Sequence, residues 1–124
     1  MSYFTALGSD DISDRMLGFM ESAGIGTANI TRCPGRSVGM YLISLNDGER
    51  SFSYWRDMSA ARLLAEDDAA LARAVQAAEL VYFSGITLAI LSDEARTEFL
   101  QALHRRAHMA RPSPSTRTCR WWNA

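Results

Sequence analysis

The sequence predicts an α/β fold: strands alternating with helices in one sheet, and a two-stranded β hairpin set apart from that sheet as a small second layer. Three observations carry this. The first 23 residues switch from a strand pattern to a helix pattern, an Asn-Asp-Gly turn at 46–48 joins two alternating runs, and Leu80 to His108 reads as strand, loop and helix.

Tyr3 to Leu7 is β-prone and ends in Gly8-Ser9-Asp10-Asp11, where Ser and Asp suit a helix N-cap. The helix expected over Ile12 to Ala23 sets Ile12, Met16, Phe19, Met20 and Ala23 at three- and four-residue spacing, an apolar stripe for a sheet to cover. Gly24-Ile25-Gly26 stops it. A brief extended piece near Ala28 to Thr31 leads through Pro34-Gly35 into two strands, Val38 to Leu45 and Ser51 to Arg56; the Asn46-Asp47-Gly48 turn between them tolerates the positive φ that tight hairpins need. Glu66 to Ala78 is acidic at its start and alanine-rich within, which favours a helix. Leu80 to Phe83 reads as a buried strand, Ser84 to Thr87 as a loop, and Ser92 as the cap of a helix running to about His108. From Met109 onward the chain has two prolines, no acid and no period, so residues 109–124 are expected to be an irregular tail beyond a domain of residues 1–108.

Composition removes several function classes. The chain has 124 residues, a net charge of −1 and 48% hydrophobic content, enough for one modest core and with no global pull toward nucleic acid or anionic membrane. All 13 basic residues are arginine, so Schiff-base and P-loop lysine chemistry is out of reach. The two cysteines, Cys33 and Cys119, are far apart and form no metal or redox motif. No apolar run reaches the roughly 18 residues of a membrane helix and the N-terminus lacks signal-peptide features, so a cytoplasmic protein is expected.

Tyr54 and Arg56 lie two apart on one strand and therefore share a face, with Trp55 on the other; Tyr41 on the partner strand joins them if the register permits. Arg offers a planar fork for a carboxylate and Tyr offers hydroxyls for a sugar or ketone. The plainer reading is a half-buried hairpin whose Tyr and Arg only pack and snorkel. Asp10 and Asp11 read better as helix caps than as an acid pair, and His104 and His108 better as surface residues than as zinc ligands, since no third ligand stands nearby. Arg105, Arg106, Arg111, Arg117 and Arg120 make a basic end without a nucleic-acid module.

Thr5-Ala6-Leu7-Gly8-Ser9-Asp10, Gly39-Met40-Tyr41, Gly48-Glu49-Arg50, Tyr54-Trp55-Arg56 and Ser84-Gly85-Ile86-Thr87-Leu88-Ala89-Ile90-Leu91-Ser92 stand in an order and spacing that resemble the 2-keto-3-deoxygluconate kinases of the ribokinase-like, phosphofructokinase-B type sugar kinases. The similarity covers roughly residues 3 to 108. It implies a partial ribokinase-like Rossmann-type sheet with a two-stranded lid at about 36–57. It further implies that Tyr41, Tyr54, Arg56 and Ile86 line a sugar-acid pocket, with Arg56 on the carboxylate. The complete family enzyme would use ATP and Mg²⁺ to phosphorylate 2-keto-3-deoxygluconate.

By the same resemblance, an upstream Gly-Gly strand and a downstream Gly-Ala-Gly-Asp signature, with its catalytic Asp and anion hole, have no counterpart here. The chain is expected to be an N-terminal fragment with no catalytic residue, inactive alone and a poor binder of ATP or Mg²⁺. A GC-rich back-translation of Met109 to Cys119, read two bases later, spells Gly-Ala-Pro-Val-Ala-Phe-Asp-Pro-Asn-Leu, the strand and Phe-Asp-x-Asn block that family members carry next. A frameshift near His108 is therefore expected. The rival reading is a non-catalytic module that binds a sugar acid or forms a homodimer through the lid, with no nucleic-acid or membrane partner.

Overall fold

The computed structural model describes residues 1–109; the irregular, out-of-frame tail expected over 109–124 falls outside the described residues except for Met109, which ends a helix. Strand β1 (Thr5–Leu7) runs into helix α1 (Asp11–Ser22) and returns as β2 (Ile30–Arg32). The two strands pair in parallel, with Ala6 opposite Thr31, so this is one βαβ unit. Asp10 caps α1 as the sequence indicates, its carboxylate accepting from the Ser13 backbone N–H at 2.8 Å. An ion pair from Arg32 to Asp14 ties β2 to the helix.

Strands β3 (Met40–Asn46) and β4 (Glu49–Trp55) form the hairpin, antiparallel and in unbroken register from Met40 opposite Trp55 to Asn46 opposite Glu49. The two linking residues, Asp47 and Gly48, have φ of 49° and 87°, the pair of positive values that a two-residue turn matching strand twist demands. A single 3-10 turn (Ala60–Leu63) follows, then α2 (Asp68–Ala77), α3 (Gly85–Ile90) and α4 (Asp93–Met109). The main core is helical. Leu71 and Val75 of α2 pack against Ala95, Phe99 and Ala102 of α4, with Leu64, Ala65 and Leu91 filling the ends. Phe83 meets Phe99 edge-on at 5.2 Å.

Three local expectations are corrected. Leu80 to Phe83 has no regular secondary structure and forms no ladder among the described residues, and it is not buried as a strand: Leu80 is 73% and Tyr82 89% exposed, while Val81 and Phe83 pack onto the core. Ser84 to Thr87 is not a loop, since α3 starts at Gly85, where the Thr87 hydroxyl accepts from the Ser84 N–H at 3.4 Å. The apolar stripe of α1 is also not covered as expected: Met20 and Ser13 are buried, whereas Ile12, Met16 and Phe19 are exposed, because among the described residues the paired sheet beside the helix is two strands wide.

Candidate functional site

The site forms where the hairpin joins the body. Both legs meet there in a parallel bridge between Ser37 and Ser59, and the Ala60 N–H donates to the Ser37 carbonyl at 2.8 Å. The first leg also leans on the turn after β1: a Cβ at Gly8 would fall 2.0 Å from the Arg36 carbonyl oxygen, so only glycine admits this approach. The Cys33 N–H donates to the Leu7 carbonyl at 2.7 Å on the same side. This puts the hairpin base at the carboxyl end of β1, where ligands bind in open α/β sheets.

Between these parts lies an open cavity of about 540 Å³ lined by Asp10, Arg36, Ser37, Tyr54, Arg56 and Asp57, among others. The register sets Tyr41 directly opposite Tyr54, so the two share a face. Their ring centroids are 6.3 Å apart. The Arg56 guanidinium lies 4.2 Å from the Tyr54 ring centroid and 6.0 Å from that of Tyr41. Stacking of this kind holds a guanidinium plane while leaving its N–H edge available. Among the described residues the ion pairs are Arg32–Asp14 and Arg96–Asp93, and neither involves Arg56.

Of the four residues singled out in the sequence, Tyr54 and Arg56 line the cavity, and Tyr41 stands beside Arg56 without lining it. Ile86 is not brought to it; it sits on the first turn of α3, 66% exposed. Trp55, on the opposite face of the strand opposite Met40, still edges the cavity at the hairpin base. Asp10 is both a helix cap and a wall of the cavity. The Ser13 hydroxyl, the Ser37 hydroxyl and the Ser13 backbone N–H, in that order, lower its carboxyl from an ordinary 3.8 to about 2. The Ser13 hydroxyl is buried and lacks good hydrogen-bond geometry, so the backbone bond at 2.8 Å is the firm contact.

Sequence reasoning missed Arg36, Ser37, Asp57 and Ser59. Their convergence depends on the Gly8 contact and the Ser37–Ser59 bridge, and the one local sign was a glycine after a buried strand.

Among the described residues no group of three or more His, Cys, Asp or Glu side chains could hold a metal ion, and His104 and His108 form an exposed pair with rings 4.2 Å apart. No helix among the described residues is long and apolar enough to cross a membrane.

The chain is 39% identical over 104 residues to the 2-dehydro-3-deoxygluconokinase of Haemophilus influenzae, covering 82% of this chain and 33% of that protein. It is 38% identical to the Escherichia coli K12 protein of the same name, covering 82% and 34%. It thus spans about a third of the length of the curated relatives it matches. The crystal structure of a Thermotoga maritima 2-dehydro-3-deoxygluconokinase superposes with a TM-score of 0.66 at 22% identity, over 86% of this chain and 32% of that one, which shows the shared ribokinase-like fold. The model of the pfkB family carbohydrate kinases matches residues 1–122, and with these relatives it shows that the chain belongs to that family.

Proposed function

We propose that this chain is the lid-bearing, substrate-binding portion of a 2-keto-3-deoxygluconate kinase, and that it has no turnover alone. The observation that carries the reading is the Arg56 guanidinium held over Tyr54 at 4.2 Å, at the wall of an open cavity and without a carboxylate partner among the described residues. A guanidinium so placed binds a carboxylate through two parallel N–H donors. The Tyr41 and Tyr54 hydroxyls then suit the ketone and hydroxyls of the same ligand, and Ile86 would reach it only with the remainder of the kinase in place.

This chain's share of the reaction is to bind and orient the sugar acid. In the complete enzyme ATP with Mg²⁺ supplies the phosphoryl group, and the base and anion-stabilising groups that such transfer requires come from other residues. We place the protein in the cytoplasm, where ATP and a sugar acid meet.

In a complete enzyme, Arg56→Ala should weaken 2-keto-3-deoxygluconate by about 2–5 kcal/mol, the scale for truncating one partner of a desolvated charge pair, and weaken a neutral sugar less. Equal losses for both ligands would mean that Arg56 holds the lid together and does not read the acid. The 124-residue chain alone should show no ATP-dependent phosphorylation; measured turnover would refute the reading.

A second reading, dimerisation through the lid, is favoured by the hairpin itself. Its two strands are exposed along their whole length, and Ile43, Leu45 and Phe52 project from the face that carries Tyr41 and Tyr54. Two-stranded hairpins alone are marginal in water. Sedimentation equilibrium decides this, since a concentration-independent monomer mass rules it out.

A further inference from the structure

We propose that Arg36 is a second anion-reading residue of this cavity, so that preference for an acid over a neutral sugar is set by two guanidiniums, one on each leg of the lid. The inference rests on the sugar-acid reading of the site and extends it to a residue on the opposite leg.

Arg36 precedes β3 and Arg56 follows β4, and the Ser37–Ser59 bridge holds the two legs together between them. Both arginines line the same cavity. The position of Arg36 is fixed from behind: its carbonyl oxygen is pressed against Gly8 and its N–H donates to the Cys33 carbonyl at 3.3 Å. The side chain is fixed only weakly. One terminal nitrogen contacts Met58 Sδ at 3.5 Å, a poor acceptor, and Met58 is itself part of the cavity wall.

No ion pair engages Arg36 among the described residues. Arg36 is half-buried as a residue, its contact with Met58 lies at the surface, and among the described residues no carboxylate engages it, so its N–H donors remain available to an acid in the cavity.

Two carboxylates share the wall, and they divide the remaining work. Asp10 accepts from Ser13 N–H and is stabilised by the Ser37 hydroxyl, so its oxygens are committed to the helix cap and the lid base. Asp57 stands next to Arg56 in sequence and offers an acceptor for sugar hydroxyls. The groups left for a ligand's negative charge are the Arg36 and Arg56 forks.

The test is titration of the 124-residue chain with 2-keto-3-deoxygluconate and, as neutral probe, D-fructose, read by ligand-observed NMR at low and moderate salt. The wild-type chain should favour the acid. Arg36→Gln should lower acid affinity about tenfold, leave fructose within about twofold and flatten the salt dependence; Arg36→Lys should regain part of the loss. If Arg36→Gln does not fold by circular dichroism, Arg36→Lys carries the test, with a loss of about threefold for the acid alone.

An unchanged acid-to-fructose ratio in the Arg36 variants, while Arg56→Gln abolishes the preference, overturns this inference and leaves the sugar-acid reading standing. No acid preference in the wild-type chain overturns both.

Discussion

The helical body and the hairpin are built on opposite economies of surface. In the body, Leu71, Val75, Phe99 and Ala102 are buried against one another, and geometry follows from close packing. In the hairpin every residue of β3 and β4 is exposed, and geometry follows from a backbone ladder, a two-residue turn with positive φ, and the clamp at its base. The body therefore resists change through its side chains and the hairpin through its backbone. The proposed sugar-acid site lies at the base of the hairpin, the region whose side chains are free to meet a ligand.

The comparison is broken most severely from the body's side. Phe99→Ala removes a buried ring packed edge-on against Phe83 and should cost about 3–5 kcal/mol, measured by urea unfolding followed by circular dichroism. The hairpin should be lost in the same transition, because two strands alone are marginal. A hairpin that outlives the body would show that it folds by itself.

The junction comes next. Gly8→Ala forces a methyl against the Arg36 carbonyl and should cost roughly 1–3 kcal/mol, with loss of amide protection at Ala60 as the base opens. Protection unchanged at Ala60 would show that the two regions are joined elsewhere.

Gly48→Ala touches the hairpin alone. At φ 87° it should cost roughly 1–2 kcal/mol locally, fraying the tip in hydrogen exchange while leaving the unfolding midpoint of the body unmoved.

The smallest effect is titration of Asp10. Because folding lowers its pKa from 3.8 to about 2, the carboxylate's contribution is complete above about pH 4 and is lost as the pH falls toward 2. Asp10→Asn should remove that part of the acid sensitivity, and a carbon-13 titration midpoint near 3.8 in the wild type would refute it.

What was legible in the sequence follows the same division. The turn at Asp47-Gly48, the caps at Asp10 and Ser92 and the shared face of Tyr54 and Arg56 are decided within a few residues, and the structure has them. Leu80 to Phe83 shows the limit. Its apolar run reads as a buried strand, but a ladder needs a neighbour that no local pattern can supply. The stripe of α1 had the right period, yet period fixes only which residues share a face and leaves open whether anything covers that face. Ser84-Gly85 read as a loop because glycine and serine mark turns, whereas here they open α3. Arg36 was invisible for a different reason: it reaches the cavity through contact with Gly8, 28 residues earlier, and a glycine after a strand does not say which distant residue it will meet.

The bridge between Ser37 and Ser59 has a mechanical consequence. With both legs joined at the Ser37–Ser59 bridge and every residue of the seven-residue strands exposed, the hairpin is a cantilever about 24 Å long, at about 3.4 Å per residue. A tilt of about 10° at the base would carry its tip through about 4 Å, while Arg56, one residue beyond the end of β4, would scarcely move. Leverage is greatest at the turn and least at the guanidinium, so the residue read as grasping the acid sits beside the fulcrum.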